Sequence, residues 1–426
     1  MLKPLLGEQG ENLLEWEQEF RDAILLAGQR LFGPLLQKRI DQADSGFEPS
    51  PGQRLIGRRS LEVATLFGEV RVQRDYYLGK EGGFCPSDAA LGFEGSSTPA
   101  LARLVTRAAA QQPFGAASRD LAEYGAIRVD ERQVQRVVQR IAPQVAPWLS
   151  RLQPADSEEV PTLYVSCDGT GTPMRKEELS GRRGKQADGS AKTREVKLGA
   201  VFTQHVVDTK GHPLRDHQST SYVASYAPAA EFSLLLRDEA RRRGVGKAKN
   251  VVFLSDGAAW AEDIGETCFA GCTSILDFYH ACERLHELGA ALDPAKAKAR
   301  VGRWKKWLLS DQIEKVIREG KKLQMEECQH PEVVEEQLGF LDRHHHRMLY
   351  GTYRNNGWFI GSGVVEAGCR TVVGKRLKQS GMFWSVGGAS SVLNFRTLLL
   401  SQRFDAFWKD RVAAKAASNH TLAVTA

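Results

Sequence analysis

The sequence lacks any long hydrophobic run. No apolar stretch in its 426 residues approaches the roughly 20 residues a membrane-spanning helix needs. The opening segment, MLKPLLGEQGENLLEWEQEF, turns acidic too soon for a signal peptide. Cysteine is sparse and odd in number: the seven are Cys85, Cys167, Cys268, Cys272, Cys282, Cys328 and Cys369, scattered and mostly within apolar runs. That excludes a secreted disulfide framework and fits a reducing compartment. There is no internal repeat and no low-complexity block. Strong net charge is missing too. A balance of +6 permits a polyanionic partner without demanding one, so the local distribution of charge has to decide. A soluble cytoplasmic protein, with no membrane partner, is expected. What is present is ample core material: 42% of residues are hydrophobic and 26% charged, over a length that implies two to three domains.

Residues 1–56 carry apolar side chains at helical spacing, with a break expected near Gly33-Pro34. Over 57–98 the period changes. SLEVATLFGEVRVQRDYYL alternates on both sides of Phe67-Gly68, which reads as a β-hairpin followed by a loop. Residues 99–150 hold three short helical patterns, the second ending at Gly125 and the third starting after Asp130, a good N-cap. An Arg/Gln-rich third helix suggests a helix-turn-helix, with Arg132 and Arg136 facing DNA. A plain three-helix bundle fits the same pattern. An acidic linker, Pro154 to Pro161, marks a domain boundary.

Residues 160–410 read as α/β. LYVSCDGTGTPM is a strand whose Asp168-Gly169 signals a turn, placing a carboxylate at the strand tip. A basic loop follows, with Arg175, Lys176, Arg182, Arg183, Lys185 and Lys192. TREVKLGAVFTQHVV and STSYVASYA are two more strands. VVFLSDGAAW repeats the strand-to-Asp-Gly grammar at Asp256, and TSILDF is a fifth strand running into a helix. From about 290 to 350 the pattern is polar and wholly helical, a helical insertion. GSGVVEAGCR then begins a helix with Glu366 in its first turn.

Three antiparallel strands, a helix, and then strand–helix units resemble a ribonuclease-H-like fold. Asp168, Asp256 and Glu366 are then expected to converge on divalent metal. Mg²⁺ (or Mn²⁺) is a hard ion, bound by a few carboxylates with water and phosphate completing its shell. Two such ions can activate the attacking oxygen and stabilise the leaving one. Singly, each residue has a plainer use: Asp-Gly is ordinary turn chemistry, and a first-turn Glu complements the helix dipole. Two strand-end Asp-Gly pairs plus a Glu in a Gly-rich helix start are more specific together.

VSCDGTGTPM, VVFLSDGAAW, LDFYHACERL and IGSGVVEAGCRTVVGKRLKQSGMFW closely resemble bacterial insertion-sequence transposases of the Kra type, a group distantly similar to Mutator-like transposases. The resemblance runs from about Leu61 to Ser401. It implies a DDE recombinase with a ribonuclease-H-like core, two Mg²⁺ ions and the triad Asp168, Asp256 and Glu366. Such a protein would act on its element's terminal inverted repeats and on target DNA, as a homo-oligomer associated with the bacterial nucleoid. Asp277 and His280 match that group's Asp-x-x-His element. Tyr76-Tyr77 is followed only by Cys85, where relatives carry paired cysteines, so a four-ligand zinc site there is not expected. Cys268, Cys272, His280 and Cys282 have metal-ligand spacing, although buried thiols explain them as well. His344 to His346 read as a solvated turn.

Basic residues fit a DNA path. Arg370 follows Glu366 by one turn and could neutralise it or reach a phosphate. Lys375, Arg376 and Lys378 continue that helix. Trp304, Lys305, Lys306 and Trp307 mix charge with aromatics in a pattern suited to flipped or single-stranded DNA, and equally to an ordinary amphipathic helix. Two other functions stay open: a metal-dependent nuclease of the same fold, and a non-catalytic DNA-binding protein descended from a transposase.

Overall fold

The computed structural model describes residues 12–154, 160–184, 189–326 and 328–413. The start of the N-terminal arm, residues 155–159 of the acidic linker, residues 185–188 with Lys185, residue 327 and the tail after 413 lie outside the described residues. The described chain forms two compact units. One comprises the residues up to Trp148 together with those from Asn394; the other is Leu149–Leu393. None of the described helices is long and apolar enough to cross a membrane.

The first unit opens with α1 (Leu13–Ser45), capped by Asn12, whose side chain accepts from the Glu15 amide at 3.0 Å. The helix runs straight through Gly33-Pro34, where the sequence suggested a break. Tertiary bonds override the proline's local preference. Gln37 bonds to both the amide and the carbonyl of Gln73 in the hairpin below, at 2.8 Å each, and Leu36 and Ile40 are buried with Val63, Val70 and Val72. That hairpin is β1 (Arg54–Thr65) and β2 (Gly68–Gly79), joined at Thr65↔Gly68, with β3 (Gly82–Phe84) at its edge. A short α2 (Pro86–Ala90) leads to α3 (Pro99–Gln111), α4 (Phe114–Gly125) and α5 (Glu131–Ile141). The α4–α5 turn uses Ala126 in the left-handed region (φ 51°), and Asp130 caps α5 by accepting from Gln133 N at 2.8 Å. Val134, Val137, Val138 and Ile141 form the buried stripe of α5, leaving Arg132 and Arg136 exposed. Then comes α6 (Val145–Arg151).

Residues from Asn394 belong with these helices rather than with the α/β unit. Arg396 Nη1 donates to the Ala110 carbonyl at 3.0 Å, Arg411 pairs with buried Glu94, and the Phe407 ring meets Trp148 edge-on at 5.5 Å. Such distant partners leave no local trace in the sequence pattern.

The second unit is a mixed sheet between two helical layers. Its strands are β4 (Thr162–Pro173), β5 (Thr193–Val207), β6 (Pro213–Arg215), β7 (Ser221–Ser225), β8 (Asn250–Ser255) and β9 (Thr273–Leu276). The order is β6-β5-β4-β8-β9, with β7 also on β5; β4 to β7 pair antiparallel, whereas β4–β8 and β8–β9 are parallel. Alternation sorts side chains between two cores. Leu163, Val165, Cys167 and Phe253 face α7 (Ala229–Arg242) and α8 (Ala259–Cys268), through Phe232, Leu236, Ala261 and Ile264. Tyr164, Val252, Leu254 and Ile275 face α9 (Phe278–Leu292), α10 (Pro294–Leu308), α11 (Ile313–Glu326) and α12 (Pro331–His344). The helices from α10 on, read as a polar insertion, therefore build one of the two cores. Trp304, Val316, Val334 and Leu341 are fully buried there. Next come α13 (Tyr350–Asn355) and α14 (Gly363–Gly368), a π-helical turn over Cys369–Gly374, α15 (Lys375–Leu377) and α16 (Val386–Leu400), whose last residues belong to the first unit. A final helix covers 404–413.

Candidate active site

Three parallel strands set the site. Ser166 pairs with Leu254 and Ser255 with Leu276. One or two residues further on in the same register stand Asp168, Asp256 and Asp277, a row of carboxylates across β4, β8 and β9. By alternation Asp168 and Asp256 share the face of Tyr164, Val252 and Leu254, toward the α9–α12 layer.

Asp256 follows the strand end as expected. Gly257 has φ 87°, and a Cβ there would lie 2.8 Å from Leu276 Cδ1, so both conformation and space require glycine. Asp256 Oδ1 accepts from the Ala258 amide at 2.9 Å, closing the turn into α8. Asp168 differs from the reading of Asp-Gly as a turn. β4 continues beyond it to Pro173, paired with β5 the whole way, including Asp168↔Leu198. Gly169 faces the carboxylate of Glu195 across the ladder and stays in extended conformation. Asp168 thus sits just past the end of the β4–β8 pairing, where β4 keeps β5 alone as its neighbour, and the β4–β5 ribbon becomes two-stranded from Thr170.

Asp277 is fully buried and caps α9. Its Oδ1 accepts the His280 amide at 2.7 Å and lies 3.1 Å from His280 Nδ1, while Oδ2 accepts the Ser362 amide. Ser362 Oγ in turn donates to Glu366 Oε1 at 2.6 Å. One ligand atom each from Asp277, His280 and Glu366 lies within 4.8 Å of the other two. One turn after Glu366, Cys369 Sγ donates to Asp168 Oδ2 at 3.4 Å, so α14 and its π turn span the carboxylate row. Ser362 and Cys369 were missed in the sequence. Ser362 stands four residues before Glu366, a reach that could have been noticed. Asp277 follows a β-type run just as Asp256 does, so its position was also legible.

The electrostatics follow from crowding. Burial raises the Asp168 pKa and the Asp256 charge adds to it, while hydrogen bonds from Cys369 and Gly169 and the His280 charge oppose. Burial alone would raise Asp277, but its bonds to His280 and Ser362 outweigh it and hold the carboxyl below its ordinary value. The bond to Asp277 pushes His280 up to about 9, against burial and with help from Asp256 and Glu283. With a pKa of about 9, His280 supplies an imidazolium counter-charge to the carboxylates at neutral pH.

The donor set suits a hard divalent cation. Carboxylate oxygens fit Mg²⁺ or Mn²⁺, and an imidazole among them is better tolerated by Mn²⁺. A carboxylate has about four lone-pair positions. Asp277 has three contacts on them, whereas Glu366 has one, Asp256 one and Asp168 two. Among the described residues, Asp277, His280 and Glu366 form a group able to hold a metal ion, and Asp168 and Asp256 stand outside that group.

Other candidates fare unevenly. Arg370 is exposed, with no hydrogen bond or ion pair to Glu366 among the described residues. Lys375 and Lys378 are exposed, and Lys378 Nζ donates to Thr170 Oγ1 at 2.5 Å, on the ribbon beyond Asp168. Arg376 is not available to DNA: it is fully buried, its guanidinium 5.1 Å from the Trp384 ring centre. Trp304 is likewise a core residue, fully buried and donating to Glu319 Oε2 at 3.1 Å. Lys306 is exposed and Lys305 Nζ lies 3.0 Å from His286 Nε2. Arg182 and Arg183 are exposed. The cysteine set with metal spacing does not assemble among the described residues: Cys268 and Cys272 pack in the α7–α8 core. His344 is buried rather than solvated, its Nδ1 3.2 Å from Glu262 Oε1 but not aligned for a hydrogen bond.

No protein-family model matches the sequence, and no curated protein matches it. Among solved structures, the strand transfer complex of the Drosophila P element transposase overlaps with a TM-score of 0.23 and 10% identity, covering 72% of this chain and 80% of that one. A likeness that loose decides neither the fold nor the chemistry of this chain.

Proposed function

We propose that the chain is a DDE transposase with a ribonuclease-H-like core, which cuts and joins DNA at the terminal inverted repeats of its own insertion sequence. The observation that carries this reading is the carboxylate row: Asp168 and Asp256 follow neighbouring parallel strands, and the helix of Glu366 reaches Asp168 through Cys369 and Asp277 through Ser362. The long C-terminal stretch resembling Kra-type transposases supports it. Exposed Arg132 and Arg136 on α5 suit contacts to element ends.

Two divalent ions, when bound, would supply Lewis-acid activation and charge neutralisation. Asp168, Asp256 and Glu366 would hold them. Asp277 keeps Ser362 and His280 in position, and Ser362 orients Glu366. His280 offers a proton donor beside the row. Lys378, fixed on Thr170, places positive charge where a phosphodiester would lie along the ribbon. Water, and later a freed 3′-hydroxyl, would attack in line without a covalent protein intermediate.

The experiment is Mg²⁺- or Mn²⁺-dependent cleavage and joining of DNA bearing the repeats that flank the gene. Asp168→Asn, Asp256→Asn and Glu366→Gln should each lower both activities by orders of magnitude while DNA binding persists. Joined products separate a transposase from a nuclease of the same fold; cleavage retained by the three variants would overturn the assignment.

A further inference from the structure

Beside the carboxylate row the second unit has an open cavity of about 930 Å³, within the size range of small-molecule sites. Its position is fixed by Gly361. A Cβ on that residue would come 2.9 Å from the Tyr279 ring and 3.7 Å from Asp277 Oδ2, so the Tyr279 ring and the buried carboxylate flank the same backbone atom. Tyr279 itself is 66% exposed, an unusual setting for an aromatic three residues past a strand end. Its ring forms part of the cavity wall, with Trp358 also in the lining.

The charges in the cavity are unbalanced. Asp311 is its acidic member, and that carboxylate is committed to the start of α13, accepting from Gly351 N at 2.7 Å, Thr352 N at 2.9 Å and Thr352 Oγ1 at 2.7 Å. His212 pairs with Asp208 at 3.1 Å. Lys210 and Arg354 also line the space, and among the described residues neither side chain has an anionic partner. Asn355 and Asn356 add exposed amides, which can donate and accept. A ligand matched to these walls has a planar ring for Tyr279, an edge with donors and acceptors, and a phosphate-like anion.

We propose that this cavity is a nucleotide subsite, taking one base of the nucleic-acid strand out of its stack, with the ring against Tyr279 and the flanking phosphate on Lys210 and Arg354. This rests on the reading of the carboxylate row as a nucleic-acid-processing site. It also moves the base-holding role from Trp304, which the fold buries, to an exposed ring beside Asp277.

The test uses the full chain without divalent metal. Fluorescence anisotropy compares labelled pentathymidylate with an abasic strand of the same length and charge. Stacking of one base predicts roughly tenfold tighter binding of the thymidylate. Tyr279→Ala should reduce that preference below about twofold with an unchanged thermal melt, and Tyr279→Phe should keep it. Lys210→Ala and Arg354→Ala should weaken both strands alike and flatten the salt slope by about 0.7 each. Equal binding of the two strands by the parent protein, no binding of either, or an undiminished preference in Tyr279→Ala would overturn the subsite. Metal-dependent cleavage is read separately. A base preference that depends on Tyr279 but comes without cleavage keeps the subsite and removes the transposase reading. Cleavage without base preference does the reverse.

Discussion

Asp277 and Glu366 lie in one cluster, and substitution of each by its amide should have opposite consequences. Asp277 is fully buried, with Oδ1 held by the His280 amide and ring and Oδ2 by the Ser362 amide. In Asp277→Asn one oxygen becomes an NH₂ donor. Whichever way the amide turns, that donor confronts a backbone N–H, of Ser362 on one side or His280 on the other. One buried hydrogen bond is lost and a donor is left unpaired, a cost of about 1–3 kcal/mol. At about 2–4 °C per kcal/mol for a unit of this size, the melting temperature should fall by about 2–12 °C. Glu366 is half-buried and, among the described residues, accepts only from Ser362 Oγ, for which the oxygen of a glutamine can also serve. Glu366→Gln should therefore stay within about 0.5 kcal/mol of the parent. Under the proposed function it removes an anionic metal ligand, however, and Mn²⁺ binding and metal-dependent cleavage should collapse. Thermal unfolding of both variants, Mn²⁺ titration calorimetry and the cleavage assay on the same preparations give the comparison. An Asn variant that melts with the parent would refute the positioning role of Asp277. A Gln variant that binds Mn²⁺ and cleaves normally would remove Glu366 from the metal site.

Arg347 is buried and donates to Ser255 Oγ at 2.7 Å and Glu262 Oε1 at 3.3 Å, so Arg347→Met should cost about 3 kcal/mol, read from urea unfolding. Gly257→Ala forces a left-handed alanine against Leu276 and should cost at least about 1–2 kcal/mol, while displacing Asp256 enough to lower cleavage. Burial, along with the charges of Arg347, Arg343 and His346, keeps the His344 pKa below its ordinary value although Glu262 opposes this. The unfolded chain therefore takes up that proton first. Stability should be full above about pH 6.5 and fall below it, and His344→Phe should shrink that part of the acid dependence in urea midpoints.

Much of this was legible in the chain. Alternation and β-branched runs marked β5, β7, β8 and β9, and the hairpin turn fell at Leu66-Phe67, one residue before the expected Phe67-Gly68, because those signals are local. Asp168-Gly169 misled because the same dipeptide occurs in two settings: Asp256-Gly257 turns the chain with a positive φ, whereas Asp168-Gly169 stays extended inside β4. Arg376 and Trp304 misled for a related reason. Their neighbours in sequence are basic, yet their partners, Trp384 and Glu319, are set by folding. Pro34 suggested a break that Gln37 and the buried face of α1 overrule.

The π-helical turn at Cys369–Gly374 acts as a phase adjuster. Up to the first residue of the turn, Glu366 and Cys369 present to the carboxylate row; downstream, Arg376 and Leu377 turn inward. An unbroken α-helix advances about 100° per residue and fixes the angle between those two sets. A wider turn absorbs one residue and changes that angle without a break in the chain. Length in this segment is therefore as constrained as composition. Deleting one residue there would swing Arg376 and Leu377 out of their packing or pull Glu366 off the row, whereas an exchange of Thr371, half-buried within the turn, leaves the phase intact. A length-sensitive stretch with tolerant side chains is the signature by which such an adjuster would show itself among variants of this chain.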